Sequence, residues 1–307
     1  MRIKLTDWWP GHKWQEDYLF REIFHNHFGA EIVENNPDLI VYSVFFKQVG
    51  VFVGNPEAWS PVFNDIPKIC VCGESMPDNM INQILSRGDY LIYSKRIDHP
   101  NALRCTDIEK NGFFGVNPKE FLSQPIPEKT KFCSFIFFSK NPNRENFCKE
   151  LSRYKKVDCL GKRLNNAISP TLTKRYSTDA PLGVGIGISN VETIKPYKFN
   201  ICFERLSLPG YLTEKIWWGF LARTISLYWG DPTVYESFNK GSFLYRGDYP
   251  NDRAFINAIK ELDNDDTAYY NMLNTNPIKD LTLIDPNHLI MFVRKIYESV
   301  CNKNKKQ

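Results

Sequence analysis

The chain has 307 residues, 42% of them apolar and 14% aromatic, more than one hydrophobic core usually supports and too apolar for a disordered polypeptide. A net charge of +4 with a pI of about 8.5 is too weakly basic to mark a nucleic-acid binder, though it suits an anionic small ligand. No segment reaches the roughly 18 apolar residues of a membrane span, and the amino terminus lacks a signal peptide's apolar core, so the expectation is a soluble cytoplasmic protein. Membrane contact would be at most peripheral, through Lys303, Lys305 and Lys306. Eight cysteines without paired zinc spacing read as reduced packing residues, and the five histidines form no metal spacing.

In chain order, Ile3 to Leu5, Leu39 to Val44, Val51 to Val53, Ile69 to Val71 and Tyr90 to Tyr93 are short apolar runs that predict strands. Trp14 to Phe28 and, more briefly, Met80 to Leu85 carry apolar residues at helical spacing. A proline-rich polar stretch, 117 to 131, predicts a hinge between a first domain, 1–125, and a second, 126–307. Beyond it come a strand from Cys133 to Phe138, a helix from Asn143 to Leu151 and a strand around Val157. Gly183-Val184-Gly185-Ile186-Gly187 lacks the full dinucleotide-binding spacing and is read as a loop. Asp263-Asn264-Asp265 is read as a solvated turn between helices at 252–264 and 267–274 rather than as a metal motif. Asp285-Pro286 opens the last helix, which reaches about Cys301. Strands alternating with helices define an α/β protein.

The stretch from Tyr197 to Pro232 carries the chemistry. Lys198 to Phe203 predicts a buried strand, Pro209-Gly210 a turn, and Thr213 a cap for a helix whose first turn holds Glu214 and Lys215. Thr224 to Trp229 returns as a second strand, closing a βαβ crossover. A cation and a carboxylate in a helical turn at a strand's carboxyl end suit an anionic ligand.

This segment resembles the donor-binding signature of the α1,3/α1,4-fucosyltransferases. The matching residues are Tyr197-Lys198-Phe199, Phe203-Glu204, Tyr211-Leu212-Thr213-Glu214-Lys215 and Tyr228-Trp229-Gly230-Asp231-Pro232. Arg205 departs from the pattern, since the family usually has Asn after the F-E pair. Arg2 to Gly11, Lys68 to Asn79 with Gly73, Glu74 and Pro77 in register, Phe132 to Arg144 and Val157 to Asn166 extend the resemblance over nearly the whole chain.

The resemblance implies a GT-B fold of two Rossmann-like α/β domains facing a cleft, the first binding acceptor and the second donor, with the last helix able to return to the first. It implies inverting transfer of L-fucose from GDP-β-L-fucose to the 3-OH, or the 4-OH, of N-acetylglucosamine in N-acetyllactosamine-type glycans. In that reading Glu74 is the base and Lys215 meets the diphosphate with Arg163 or its near alternative Lys162. Glu204, Arg205, Tyr211, Thr213 and Glu214 complete the donor site, and Trp8 and Trp9 help line the acceptor site. GDP-fucose is a co-substrate, no cofactor or bound metal is required, and metal stimulation stays open. The alternatives are a GT-B transferase with another nucleotide sugar and a silent nucleotide- or glycan-binding protein.

Overall fold

The computed structural model describes residues 1–8, 12–46, 50–51, 56–106, 109, 120, 124–169, 184–285 and 287–304. The chain divides into two units: Met1–Gly112 together with Asp285–Gln307, and Phe113–Ile284. This division falls earlier than the 125/126 boundary read from the sequence, and the terminal helix, read as able to return to the first domain, groups with the first unit. The expected hinge lies within the second unit, and 117–119 and 121–123 of it fall outside the described residues.

The first unit is built on a six-stranded sheet from β1 (Arg2–Thr6), β2 (Glu31–Ile32), β3 (Leu39–Tyr42), β6 (Lys68–Cys72), β7 (Tyr90–Tyr93) and β8 (Ala102–Arg104). Two short strands, β4 (Phe45–Phe46) and β5 (Gly50–Val51), pair antiparallel beside it. The sheet order is β2-β1-β3-β6-β7-β8 with every pairing parallel. Parallel sheets are covered on both faces, so their central strands bury every position, as β3 and β6 do here. Leu19, Phe20, Ile23 and Phe24 cover this sheet with Leu289, Val293, Ile296 and Val300 of the terminal helix Asn287–Asn304 in one core. Pro286, read as that helix's opening residue, is outside the described residues.

The single helix expected over 14–28 is broken. Trp14–Glu16 is a 3-10 turn, Asp17 accepts the Leu19 N–H (2.9 Å), and Leu19–His27 winds as a π-helix, ended by a bond from Phe28 N–H to the Ile23 carbonyl (3.2 Å). The wider turn keeps Leu19, Phe20, Ile23 and Phe24 all on the buried face.

The second unit holds β9 (Lys131–Phe135), β10 (Val157–Cys159), β11 (Tyr197–Phe203), β12 (Ile225–Trp229) and β13 (Leu244–Tyr245) in the order β10-β9-β11-β12-β13, again all parallel. The Phe147 ring stacks on Phe203 (4.6 Å) and on Phe255 (5.4 Å), tying two helices to β11. Burying a phenylalanine is worth about 2–3 kcal/mol against roughly 1 kcal/mol or less for a surface ion pair. The aromatic core, not the charged surface, therefore sets the strand positions.

Both sheets reverse direction of winding next to their first strand, between β1 and β3 and between β9 and β11. Ligands of such sheets bind beyond the strands' carboxyl ends at that reversal.

Two sequence expectations fail in the second unit. Val184–Ile194 is a helix where a loop was expected, because Asn190, Val191 and Ile194 are buried and tertiary packing overrides the weak propensity of glycine. Asp263 is buried, not solvated: it pairs with Lys155, sits 2.9 Å from Lys198 Nζ and accepts the Tyr154 hydroxyl (3.0 Å). Asp265 caps the following helix, Asp266–Asn274, by accepting the Ala268 N–H (2.9 Å).

Candidate active site

Three chain segments meet at the reversal point of the second sheet. After β9, Asn141 opens the helix Pro142–Ser152; its side-chain oxygen accepts the Arg144 N–H (3.2 Å) while its amide donates to the Arg205 carbonyl (3.2 Å). After β11 come Glu204 and Arg205, and nine further residues of loop lead to the short helix Lys215–Leu221. After β12, Gly230 and Asp231 close the arrangement.

Glu204 is the centre of this site. It has no solvent exposure, and its carboxylate accepts the Thr213 hydroxyl (2.6 Å), the Thr213 N–H (3.1 Å) and the Lys215 ammonium (3.1 Å). Lys215 also donates to Thr213 Oγ1 (2.9 Å) and lies 3.5 Å from Glu214. Burial works against the Lys215 charge, but Glu204 first and Glu214 second more than offset it, so its pKa lies above the usual lysine value. Lys215 therefore stays a cation, with a quarter of its side chain open to solvent.

Glycine is required where this loop meets the strand ends. A Cβ on Gly230 would stand 2.4 Å from Glu204 Cγ and 2.7 Å from the Tyr228 hydroxyl. Gly210 adopts φ +72°, and its N–H donates to Asp231 Oδ1 (2.7 Å), which also accepts from Thr233. The W-G-D-P end of the signature thus pins the loop that carries Tyr211 and Thr213. Tyr211 is buried in that loop.

Arg144 is the residue the sequence reading missed. It is 4% exposed, its Nε has no hydrogen-bond partner, and the charges that act on it most are Glu204 and Glu214, which counter the downward pull of burial on its pKa. A buried guanidinium with an open donor is poised for an acceptor-rich ligand. The signal was present as an arginine on the buried side of a helix, in line with Phe147, Cys148 and Leu151.

The other expected residues fall as follows. Glu214 rather than Thr213 occupies the cap position, but Thr213 Oγ1 accepts the Lys215 N–H (3.5 Å) at the start of the helix while its hydroxyl hydrogen goes to Glu204. Glu204 and Thr213 hold Lys215 rather than opening to solvent. Arg163 is paired with Glu145 (2.9 Å), and Lys162 and Arg205 are exposed. In the first unit Glu74 is exposed, two residues beyond β6 and ahead of the helix Asp78–Ser86. Trp8 stacks on His12 (4.6 Å), meets Phe20 edge-on (5.0 Å) and packs against the core; Trp9 is outside the described residues.

Two doubly wound parallel sheets, each with its strand-end reversal, define a GT-B-type α/β protein. A crystal structure of an α1,3-fucosyltransferase superposes with a TM-score of 0.72 over 97% of this chain and 90% of that one at 22% identity, and a GDP-bound one with 0.69 at 23%. Residues 126–276 match glycosyltransferase family 10 (fucosyltransferase), C-terminal domain. The second unit thus carries a segment similar to the family 10 fucosyltransferases. The α-(1,3)-fucosyltransferase FucT of Helicobacter pylori is 37% identical over 156 residues, 50% of this chain and 29% of that protein. The α-(1,3)-fucosyltransferase B of Drosophila melanogaster is 28% identical over 149 residues, 46% and 32% respectively. GDP-fucose protein O-fucosyltransferase 3 of Homo sapiens is 30% identical over 130 residues, 41% and 26%. The chain thus matches between 26% and 32% of the length of these relatives. Among the described residues no helix is long and apolar enough to cross a membrane.

Proposed function

We propose that the protein is an inverting α1,3-fucosyltransferase that moves L-fucose from GDP-β-L-fucose to the 3-OH of N-acetylglucosamine in N-acetyllactosamine-type glycans. The observation that carries the reading is the cluster of Arg144, Lys215, Glu204 and Thr213 at the sheet reversal, inside the family-matched segment. Negative charge grows on the departing diphosphate as the sugar acquires oxocarbenium character. Lys215, held in place by Glu204, and Arg144, with its open Nε, neutralise that charge; each such preorganised donor is worth about 3 kcal/mol in the transition state. Arg205 adds a third, exposed cation near Arg144. Glu214 accepts hydrogen bonds from donor hydroxyls, since a carboxylate aimed at phosphate would repel it.

Inversion needs one displacement and one base, without a covalent enzyme intermediate. Glu74 takes that part, accepting the proton of the acceptor hydroxyl. One of the relatives is a GDP-fucose protein O-fucosyltransferase, so the acceptor is the arm to test most widely. The deciding experiment measures nucleotide release from GDP-fucose and from a panel of other nucleotide sugars, each crossed against lactose, N-acetyllactosamine, its 1,3-linked isomer and a Ser/Thr peptide. Turnover with N-acetyllactosamine supports the reading; turnover only with another nucleotide sugar, or only on the peptide, overturns it.

A further inference from the structure

A second group of chemically active side chains lies in the first unit, just beyond the carboxyl end of β8. The chain leaves β8 at Arg104 and places Cys105 and Thr106 fully buried. The Thr106 N–H donates to Glu109 Oε2 (2.5 Å), as the glutamate of a T-x-x-E capping box reaches back to its cap residue. This fixes the Glu109 carboxylate, 7% exposed, with its other oxygen turned away from the cap.

That oxygen, Oε1, lies 3.2 Å from His288 Nε2 in the first turn of the terminal helix, yet it receives no hydrogen bond. His288 Nδ1 meets the Asp285 carbonyl, which can only accept, so Nδ1 carries the hydrogen. In the neutral ring Nε2 then presents a lone pair, and it does so toward the lone pairs of Oε1. A proton on Nε2, as in an imidazolium–carboxylate pair, or a metal cation held between the two atoms makes this contact attractive. Cys105 supplies a third donor: its Sγ, a Glu109 carboxylate oxygen and a His288 ring nitrogen all lie within 4.8 Å of one another.

We propose that Cys105, Glu109 and His288 form a binding site for a divalent, thiolate-accepting metal ion of the zinc class. Tetrahedral zinc with bonds of about 2.0–2.3 Å separates its ligand atoms by roughly 3.5 Å, a small contraction from the arrangement present. The backbone anchor on His288 Nδ1 is the outer contact that metal-bound imidazoles use to aim Nε2. Binding converts the Cys105 thiol to thiolate and releases one proton, while the carboxylate and neutral imidazole enter without proton change. The ion would join the segment after β8 to the terminal helix, both within the first unit. Neither this site nor its test depends on the transferase reading.

The test uses the full chain without an affinity tag, stripped with a chelator and titrated with Co2+ and then Zn2+ near neutral pH. One equivalent of Co2+ should produce a thiolate-to-cobalt charge-transfer band together with tetrahedral d–d absorption, and Zn2+ should displace it stoichiometrically and raise Tm. Cys105→Ser should remove the charge-transfer band, and Glu109→Gln and His288→Gln should each weaken binding by about 10–100-fold. Cys148→Ser, in the second unit, should change nothing. Because a variant could fail to fold, the wild-type cobalt spectrum decides independently. Absence of the band, or binding indifferent to all three substitutions, overturns the proposal and leaves the cluster as a histidine–glutamate ion pair.

Discussion

Lys215 Nζ stands 3.1 Å from the fully buried carboxylate of Glu204, so a cation partly open to solvent is held from beneath by an anion without any solvent contact. The two are not equivalent in consequence. Glu204→Ala removes the anchor and leaves Lys215 in a desolvated place, whereas Lys215→Ala leaves a buried carboxylate alone. Each should cost about 3 kcal/mol in urea-denaturation stability. Lys215→Ala should in addition weaken GDP binding by at least tenfold in calorimetric titration, and unchanged GDP affinity would remove Lys215 from the donor site.

Arg144 and Arg163 offer a choice between two candidate phosphate-binding arginines. Arg144 has an open Nε and is buried, while Arg163 is already paired with Glu145. Arg144→Lys, which retains charge but loses the planar fork, should lower kcat/KM by about 100-fold, and Arg163→Lys by no more than about threefold. The reverse ranking in steady-state assays would restore the residue favoured by the sequence.

Glu74 is exposed at the end of β6, so its replacement should leave the fold untouched. Glu74→Gln should change Tm and GDP affinity negligibly, since surface substitutions usually shift stability by about 0.5 kcal/mol or less. It should reduce kcat by about 100- to 10,000-fold. Retained turnover would assign the base elsewhere.

Gly230→Ala places a methyl group against Glu204 and the Tyr228 hydroxyl, both rigidly held. Overpacking of that kind costs about 1–3 kcal/mol. Because Glu204 would have to move, donor affinity should fall together with Tm; a loss of Tm alone would separate the anchor from donor binding.

Asp263 gives a pH signature. Burial raises its pKa, but Lys155 and Lys198 outweigh burial and bring it below the usual aspartate value. A depressed carboxylate pKa stabilises the folded state above the unfolded pKa of about 3.9 and loses that contribution as pH falls through the lower folded value. Asp263→Asn should therefore be about 2 kcal/mol less stable than wild type at pH 7. The gap should close in acid below about pH 4 in parallel denaturation curves.

Much of the architecture was readable along the chain, since the runs that become β3, β6, β7 and β12 are almost wholly apolar, as strands buried on both faces require. The two-residue strands β2 and β13 were not legible, because each is defined by its neighbour's hydrogen bonds rather than by its own pattern. The helix at 184–194 was hidden for a related reason: glycines argue for a loop locally, and only burial of Asn190, Val191 and Ile194 outweighs them. Lys215, Glu204 and Thr213 were identified as a group from their signature, but not the division of labour among them. The Thr213 hydroxyl donates to the buried Glu204 carboxylate and accepts from the Lys215 N–H, and only the fold brings both partners to it.

By itself the sequence determined the α/β class, the strand–loop–helix segment that carries Lys215, and the placement of Glu74 after a strand, because those depend on periodicity and short-range turn chemistry. Only the tertiary structure decided that Arg144 joins Lys215 at the reversal between β9 and β11, that Asp263 is an internal counter-ion, and that His288 faces Glu109 although more than half the chain's length separates them in sequence. Charges separated in sequence acquire a role when folding removes water from between them, and no local pattern encodes that removal.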